Sequence, residues 1–487
     1  MRFTDSRRLT GPNVYFAVCG VVLEAFEEAR DESCLADWRA RVLQAAGALR
    51  WPEPAFHLKQ HPKGATLAFT APFDQLYCAT EVNEWAWSAA IGQAVMFAPG
   101  HADATNDASA LKTLHLIASA EAEPALMAFL DKAAGSGWPV LADDDQLSIG
   151  YGAHVQIWPR QHVPELSVLD GAPPKHVPIA LVTGSNGKTT SVRLLSAIAK
   201  ANGLACGHSC TDGLFFNGAL VEADDYSGPA GARATLRHPQ VQVAVLETAR
   251  GGLLRRGLAC HDADVALVTN ISEDHFGEYG VFTLDDLAQV KLSVSKGLRP
   301  GGCLVLNAAD PMLVKHGTAY TGQTAWFAAD WHNPHLQQAH AQGLPVCGVS
   351  DGRLRLDSAG HTHDLGTIDD MPLSFRCMAR YNIENIAGAA LSALLMGMPV
   401  SVIAQTLARF GSGHSDNPGR LQSWRFADVQ VLMDYAHNPE GMQGFLAIAR
   451  AFIGCGRLAV LLGQAGNRED ADIRKLADSV AAFHPDL

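Results

Sequence analysis

The sequence predicts an α/β protein built on a mostly parallel sheet that carries a phosphate loop, with a smaller α+β domain before it and an α/β domain after it. One observation is local. The apolar run Ile179 to Val182 enters the turn Thr183-Gly184-Ser185-Asn186-Gly187-Lys188-Thr189-Thr190, and helical periodicity at Val192, Leu194, Leu195 and Ile198 follows. A second is the alternation of apolar strands with helical patterns from Ile179 onward, which implies βαβ units. The third is a crowd of prolines, Pro159, Pro164, Pro173, Pro174 and Pro178, which marks a linker between two domains.

Taken in order, residues 1–158 mix strand-like runs such as Ala65 to Phe69 with an amphipathic stretch from Ala36 to Leu49, and hold no nucleotide signature. Residues 159–178 form the linker. Residues 179–411 contain strands at Ile179 to Val182, Val241 to Leu246, Val265 to Asn270 and Cys303 to Asn307, the last after a helix ending near Leu298, then helices at Ile386 to Met396 and Val402 to Phe410. Beyond Gly411-Ser412-Gly413, residues 412–487 read as strand Val429 to Met433, helix Gly441 to Phe452, strand Leu458 to Leu462 and helix Ile473 to Phe483. Two strands are too few to bury both faces of a parallel sheet, so this last domain is expected to be incomplete or completed by something else.

A chain of 487 residues should divide into about three domains. A formal charge of −13 argues against nucleic acid or an anionic membrane as the main partner. No apolar run approaches the roughly 20 residues of a membrane span, and the opening Met1 to Ser6 leads into charges, so a cytoplasmic location is expected. The ten cysteines lack zinc-site spacing and read as reduced, mostly buried thiols.

The chemistry concentrates at strand ends. Gly184 and Gly187 let the backbone turn so that its N–H groups and the helix N-terminus face an anion, while Lys188 supplies a point charge and Thr189 reaches a bridging Mg²⁺. Glu247 ends one strand and is a candidate Mg²⁺ ligand; on its own it would read as a solvated strand-end glutamate. His275 follows the strand that ends at Asn270. Three strand ends on one edge point to a metal-phosphate site.

The loop Thr183 to Thr190, the segment Asn270 to His275, Asn382-Ile383-Glu384-Asn385 and Asp434-Tyr435-Ala436-His437-Asn438-Pro439 resemble, in order, the signatures of the Mur ligases. Leu246 to Arg255 and Thr211-Asp212-Gly213 are similar to the Mur-type half of the cyanophycin synthetases. Arg8 to Asn13, Gly137 to Leu141 and Leu147 to Gly152 resemble the start and end of their N-terminal domain. In those enzymes an ATP-grasp domain separates the two regions; here Gly150-Tyr151-Gly152 runs through the linker directly into the phosphate loop, so that domain is expected to be missing.

The resemblance implies an ATP-dependent amide ligase that activates a carboxylate as an acyl phosphate and joins it to an amino acid amine. ATP would be held by Gly184, Asn186, Gly187, Lys188, Thr189 and Thr190, with Asn385 on the adenine side and Arg420 and Asp434 from the C-terminal domain. Thr189 and Glu247 would hold one Mg²⁺, and His275 a second. Lys291 is the candidate for a carbamylated lysine, a helix-surface lysine being the plain alternative. Arg250, Arg255 and Arg256 could clamp an acidic acceptor or be surface charges; Asp212 and Asp224-Asp225 could grip a cationic amino acid. Expected partners are an amino acid, arginine favoured, and a carboxylate-bearing peptide or polymer, with self-association an open option. A peptidoglycan or folylpolyglutamate type of ligase, or an inactive structural or regulatory relative, are the alternatives.

Overall fold

The computed structural model describes residues 3–26, 31–273, 276–454, 456–463 and 470–487. Near the N-terminus, strands Phe3–Leu9, Gly20–Ala25, Gly64–Thr70 and Phe56–His61 form an antiparallel sheet in that spatial order. Strand side chains alternate between faces, so Val21, Leu23, Leu67 and Phe69 pack on Trp38 and Trp85 of helices Glu32–Leu49 and Leu76–Ala90. The alternate positions Arg7, Leu9, Val22, Glu24, Thr66 and Ala68 are left for the opposite face, and all are buried. A second small unit follows, helix Pro124–Ser136 against the three-stranded sheet Val140–Ala142, Gln146–Ile149 and Gln156–Pro159. Between Pro159 and Ile179 the one regular element is the 3-10 turn Leu166–Leu169, so a folded domain has no room there. The proline-rich stretch nevertheless packs, with Leu169 and Val177 buried.

Among the described residues the central sheet has eleven strands. From Cys206–Cys210 through Val243–Glu247, Ile179–Thr183, Ala263–Val268, Leu298–Asn307 and Gln323–Phe327 to Val346–Ser350 all neighbours run parallel, and antiparallel hairpins extend both edges. The inner strands are buried along their whole length, as expected when helices cover both faces. Helices Lys188–Ala201 and Arg380–Leu395 cover one face; Arg250–Arg255 and Leu284–Leu292 cover the other. The chain leaves Ile179–Thr183 toward one edge, returns through Val243–Glu247, then crosses to Ala263–Val268 on the other side. Such a reversal opens a crevice at the carboxyl ends of the strands. In register, Glu247 lies opposite Val182 and Val268 opposite Thr183, so three strand ends finish level with one another.

The helix expected to end near Leu298 stops at Leu292; Ser293–Gly297 tightens into a 3-10 turn and Leu298 already begins the next strand. In the last domain, hairpin Gln422–Phe426 and Val429–Met433 sets Leu432 against Ile448 of helix Pro439–Ile453, and helix Asp470–Ala481 packs on that helix. The strand expected at Leu458 to Leu462 is not formed. Its backbone instead ties to the chain's last residues, the Val460 N–H donating to the Leu487 carbonyl at 2.8 Å. No helix among the described residues is long and apolar enough to cross a membrane.

Gly184 turns with φ +145°, and a Cβ there would meet Thr269 Oγ1 at 1.8 Å. Gly184→Ala should therefore lower stability by about 1–3 kcal/mol. Gly47→Ala, in open space within helix Glu32–Leu49, should raise it by about 0.5–1 kcal/mol. Thermal unfolding of the two variants beside the parent checks both signs.

Candidate functional site

The phosphate loop is built by its own strand and the neighbouring strand end. The Ser185 N–H donates to the Asn270 carbonyl at 3.0 Å, and the Asn186 N–H donates to Asn270 Oδ1 at 2.8 Å. The Asn186 carbonyl accepts from Thr269 Oγ1 at 2.5 Å and Asn270 Nδ2 at 3.2 Å. Ser185 and Ser272 bond reciprocally, hydroxyl to carbonyl and N–H to hydroxyl, at 3.0 and 2.9 Å. Gly187 precedes the helix with φ +83°, and a Cβ there would come within 2.2 Å of Asn385 Oδ1. Asn385 is thus seated directly on the loop. The Lys188 ammonium folds over the turn and donates to the Ser185 carbonyl at 3.1 Å.

Glu247, 1% exposed, receives the Thr189 and Thr211 hydroxyls on its two oxygens, each at 2.9 Å. A buried carboxylate beside a loop hydroxyl is a hard-oxygen donor set that fits Mg²⁺. Among the described residues no three His, Cys, Asp or Glu side chains cluster as metal ligands. His275, with Asp274, lies outside the described residues. Lys291 is not a helix-surface lysine. It is 1% exposed in the cleft wall, with Nζ donating to the Gly184 carbonyl at 2.8 Å.

The C-terminal domain closes onto the same loop. Asn438 Nδ2 donates to Asn186 Oδ1 at 2.8 Å, and Asn186 Nδ2 donates to Glu440 Oε2 at 3.0 Å. Asn438 also caps helix Pro439–Ile453, its Oδ1 accepting from the Gly441 N–H at 2.8 Å, so that helix begins over the phosphate loop. Arg420 donates to Thr189 Oγ1 at 3.3 Å and lies 4.3 Å from the Tyr435 ring centroid. Asp434 accepts from the Leu421 and Ala436 N–H groups at 2.7 and 2.8 Å; burial pushes its carboxyl up while those donors and Arg420 pull it down. Thr190 accepts from Asn417 Nδ2 at 3.2 Å, and Arg193 donates to the Pro418 carbonyl at 2.8 Å, so the phosphate-loop helix also holds the interdomain connection.

A cavity of about 1100 Å³ lies between the two domains. Lys188, Thr189, Glu247, Lys291, Asn385, Arg420 and Asp434 line it together. Arg250, 8% exposed and paired with Glu278 at 3.4 Å, also lines it, together with the exposed Arg255 and Arg256. Asp212 lies beside the cavity without lining it, bonded to Arg193 at 2.6 Å and 4.0 Å from Arg420. Asp225 does line the cleft, its Oδ1 accepting from the Ser227 hydroxyl at 2.6 Å. From sequence, where Thr211 and Asn438 figure only as members of motifs, no role falls to Thr211, Arg233, Asn438 or Glu440. The Asn438-Pro439-Glu440 run, a helix-start pattern, was the signal for the last two; Arg233 enters the cleft from helix Pro229–Arg237 with no motif around it.

The Mur ligase middle domain matches residues 182–393, and the Mur ligase glutamate ligase domain matches residues 419–486. Cyanophycin synthetase of Geminocystis herdmanii is 35% identical over 303 residues, 62% of this chain and 34% of that one. Cyanophycin synthetase of Synechocystis is 34% identical over 338 residues, 68% and 38% of the two chains. The UDP-N-acetylmuramoyl-L-alanyl-D-glutamate–2,6-diaminopimelate ligase of Pseudomonas aeruginosa is 28% identical over 319 residues, 64% and 61%. The chain thus spans about a third of the length of the cyanophycin synthetases it matches. Through its middle and C-terminal domains it belongs to the Mur ligase family, and it is homologous to cyanophycin synthetase.

Proposed function

We propose that this chain is an ATP-dependent carboxylate–amine ligase that joins a basic amino acid to a carboxylate of an aspartate-rich peptide or polymer. The observation that carries this reading is one cavity lined both by a phosphate loop and by arginines 250, 255 and 256. A triphosphate and an acidic acceptor would meet between them. The acceptor carboxylate attacks the γ-phosphorus, ADP leaves, and the amine then displaces phosphate from the acyl carbon; each amide consumes one ATP and releases ADP, phosphate and a proton.

In this reading Lys188 and the N–H groups of the loop hold the β- and γ-phosphates, and Asn385, above Gly187, flanks the nucleotide. Arg420 reaches the same oxygens from the C-terminal domain, while Asp434 fixes the backbone beside it through Leu421. Glu247 and Thr189 would hold Mg²⁺, with His275 assigned to a second ion, and the bound metal would supply neutralising charge to the transferring phosphoryl group. Lys291 holds the Gly184 carbonyl and is the residue to examine for carbamylation. Arg250 and Arg255 orient the acceptor with bidentate forks. For the amine donor, arginine remains favoured and lysine next; Asp225 is a cleft-lining carboxylate that would meet a cationic side chain, whereas Asp212 is engaged by Arg193. With one phosphate loop and no folded domain between Pro159 and Ile179, the reading assigns side-chain ligation and not lengthening of the aspartate backbone.

Mass spectrometry of products from an aspartate peptide, ATP, Mg²⁺ and single amino acids tests this directly. The expected product is an arginine adduct on an unlengthened peptide; backbone growth, or no adduct with any amino acid, overturns the assignment. Lys188→Ala should cut turnover by about 10²-fold or more with melting unchanged. Glu247→Gln should raise the Mg²⁺ concentration needed for half-maximal turnover, and an unchanged Mg²⁺ titration removes Glu247 from the metal site.

A further inference from the structure

The face of the N-terminal sheet turned away from its helices carries a buried charge pair. Arg7, 5% exposed, donates from Nη2 to Glu24 Oε1 at 2.8 Å, and Glu24 Oε2 accepts from the Thr66 hydroxyl at 2.7 Å. Arg7 Nε crosses the domain boundary and donates to the Leu254 carbonyl at 2.8 Å, the residue before Arg255. Its guanidinium also lies 4.5 Å from the ring centroid of Tyr279. On the same ring, the Arg255 guanidinium lies 5.8 Å from the centroid, and Arg255 Nε donates to the Tyr279 hydroxyl at 3.2 Å. Tyr279 therefore touches two arginines, one buried and paired, the other exposed and lining the cleft.

Tyr279 has φ +53°, a left-handed conformation that a bulky residue keeps only where its surroundings impose it. Those surroundings come from the N-terminal domain. Lys63 donates to the Gly277 carbonyl at 3.0 Å and Lys59 to the Gly280 carbonyl at 2.9 Å. Gly280 sits so close to that sheet that a Cβ would meet Thr66 Oγ1 at 2.4 Å, and Phe282 stacks on His61 at 4.9 Å. The sheet grips this loop on both sides of Tyr279.

We propose that Tyr279 is the positioning residue for Arg255, and that the N-terminal domain, through Arg7, thereby sets the affinity of the cleft for an acidic acceptor. This rests on the reading that Arg255 holds the acceptor. A free arginine surrenders rotamer freedom when it binds a carboxylate; one already held against a ring and a hydroxyl surrenders less, and the difference appears as affinity. Tyrosine suits the place because its face attracts guanidinium groups while its hydroxyl accepts an N–H.

Fluorescence anisotropy of a labelled aspartate decapeptide reads acceptor affinity without turnover. Arg255→Ala and Tyr279→Leu should each weaken peptide binding by about tenfold, and the double variant should bind no more weakly than Arg255→Ala alone. Tyr279→Phe, which keeps the ring and loses the hydroxyl, should weaken it by about threefold. Affinity for a non-hydrolysable ATP analogue should stay at the parent value in the Tyr279 variants, which a general loss of structure would not permit. If Arg255→Ala weakens the peptide and Tyr279→Leu does not, the positioning role is overturned while the acceptor reading stands. If Arg255→Ala binds the peptide as the parent does, the acceptor reading falls and takes this proposal with it. Should Tyr279→Leu fail to fold, Tyr279→Phe decides: parent-like peptide affinity, or a matching loss of ATP-analogue affinity, overturns the proposal.

Discussion

The side chain of Asn186 is bonded on both of its polar atoms to the C-terminal domain, while its backbone is bonded on both sides to the end of the neighbouring strand. One residue of a phosphate loop thus joins the two walls of the cleft, and the remaining geometry depends on that junction. It places the capped start of helix Pro439–Ile453 over the loop and brings Arg420 to the Thr189 hydroxyl. Separation of the domains would break these bonds together, so the loop's shape and the closure of the cleft are linked through the same few hydrogen bonds.

Around that junction the charged groups are fixed before any ligand arrives. Glu247 is held by two hydroxyls and Lys291 by a backbone carbonyl, both with almost no contact with solvent. In the proposed reaction, charges held this way would need little reorganisation as a phosphoryl group moves, which is how preorganised electrostatics accelerates such transfers. The N-terminal domain adds a third constraint. Its sheet packs one face on its own helices and turns the other, with a paired arginine, toward the loop that follows the strand end at Asn270.

Much of this was legible in the sequence because the informative features were local. The apolar run before Gly184 and the helical spacing after Lys188 identify the phosphate loop, and the alternation of strands and helices identifies the parallel sheet. Features set by distant contacts were not legible. Lys291 is singled out by the family resemblance alone, because its neighbours are those of any amphipathic helix and leave a surface lysine as the plain alternative; its burial depends on a carbonyl 107 positions away. Asp212 stands in a motif-like run, yet Arg193 of the loop helix claims it. Leu458 to Leu462 has strand-like composition, but among the described residues its backbone bonds to residues 486–487 rather than to a strand.

The central claim is that the acceptor carboxylate attacks ATP directly, and oxygen transfer reads that step most closely. An aspartate peptide with ¹⁸O in its carboxylates, incubated with ATP, Mg²⁺ and arginine, should pass one labelled oxygen to inorganic phosphate for each amide formed, with ADP as the nucleotide product. Amide formation with unlabelled phosphate, or with AMP carrying the label, would contradict the account.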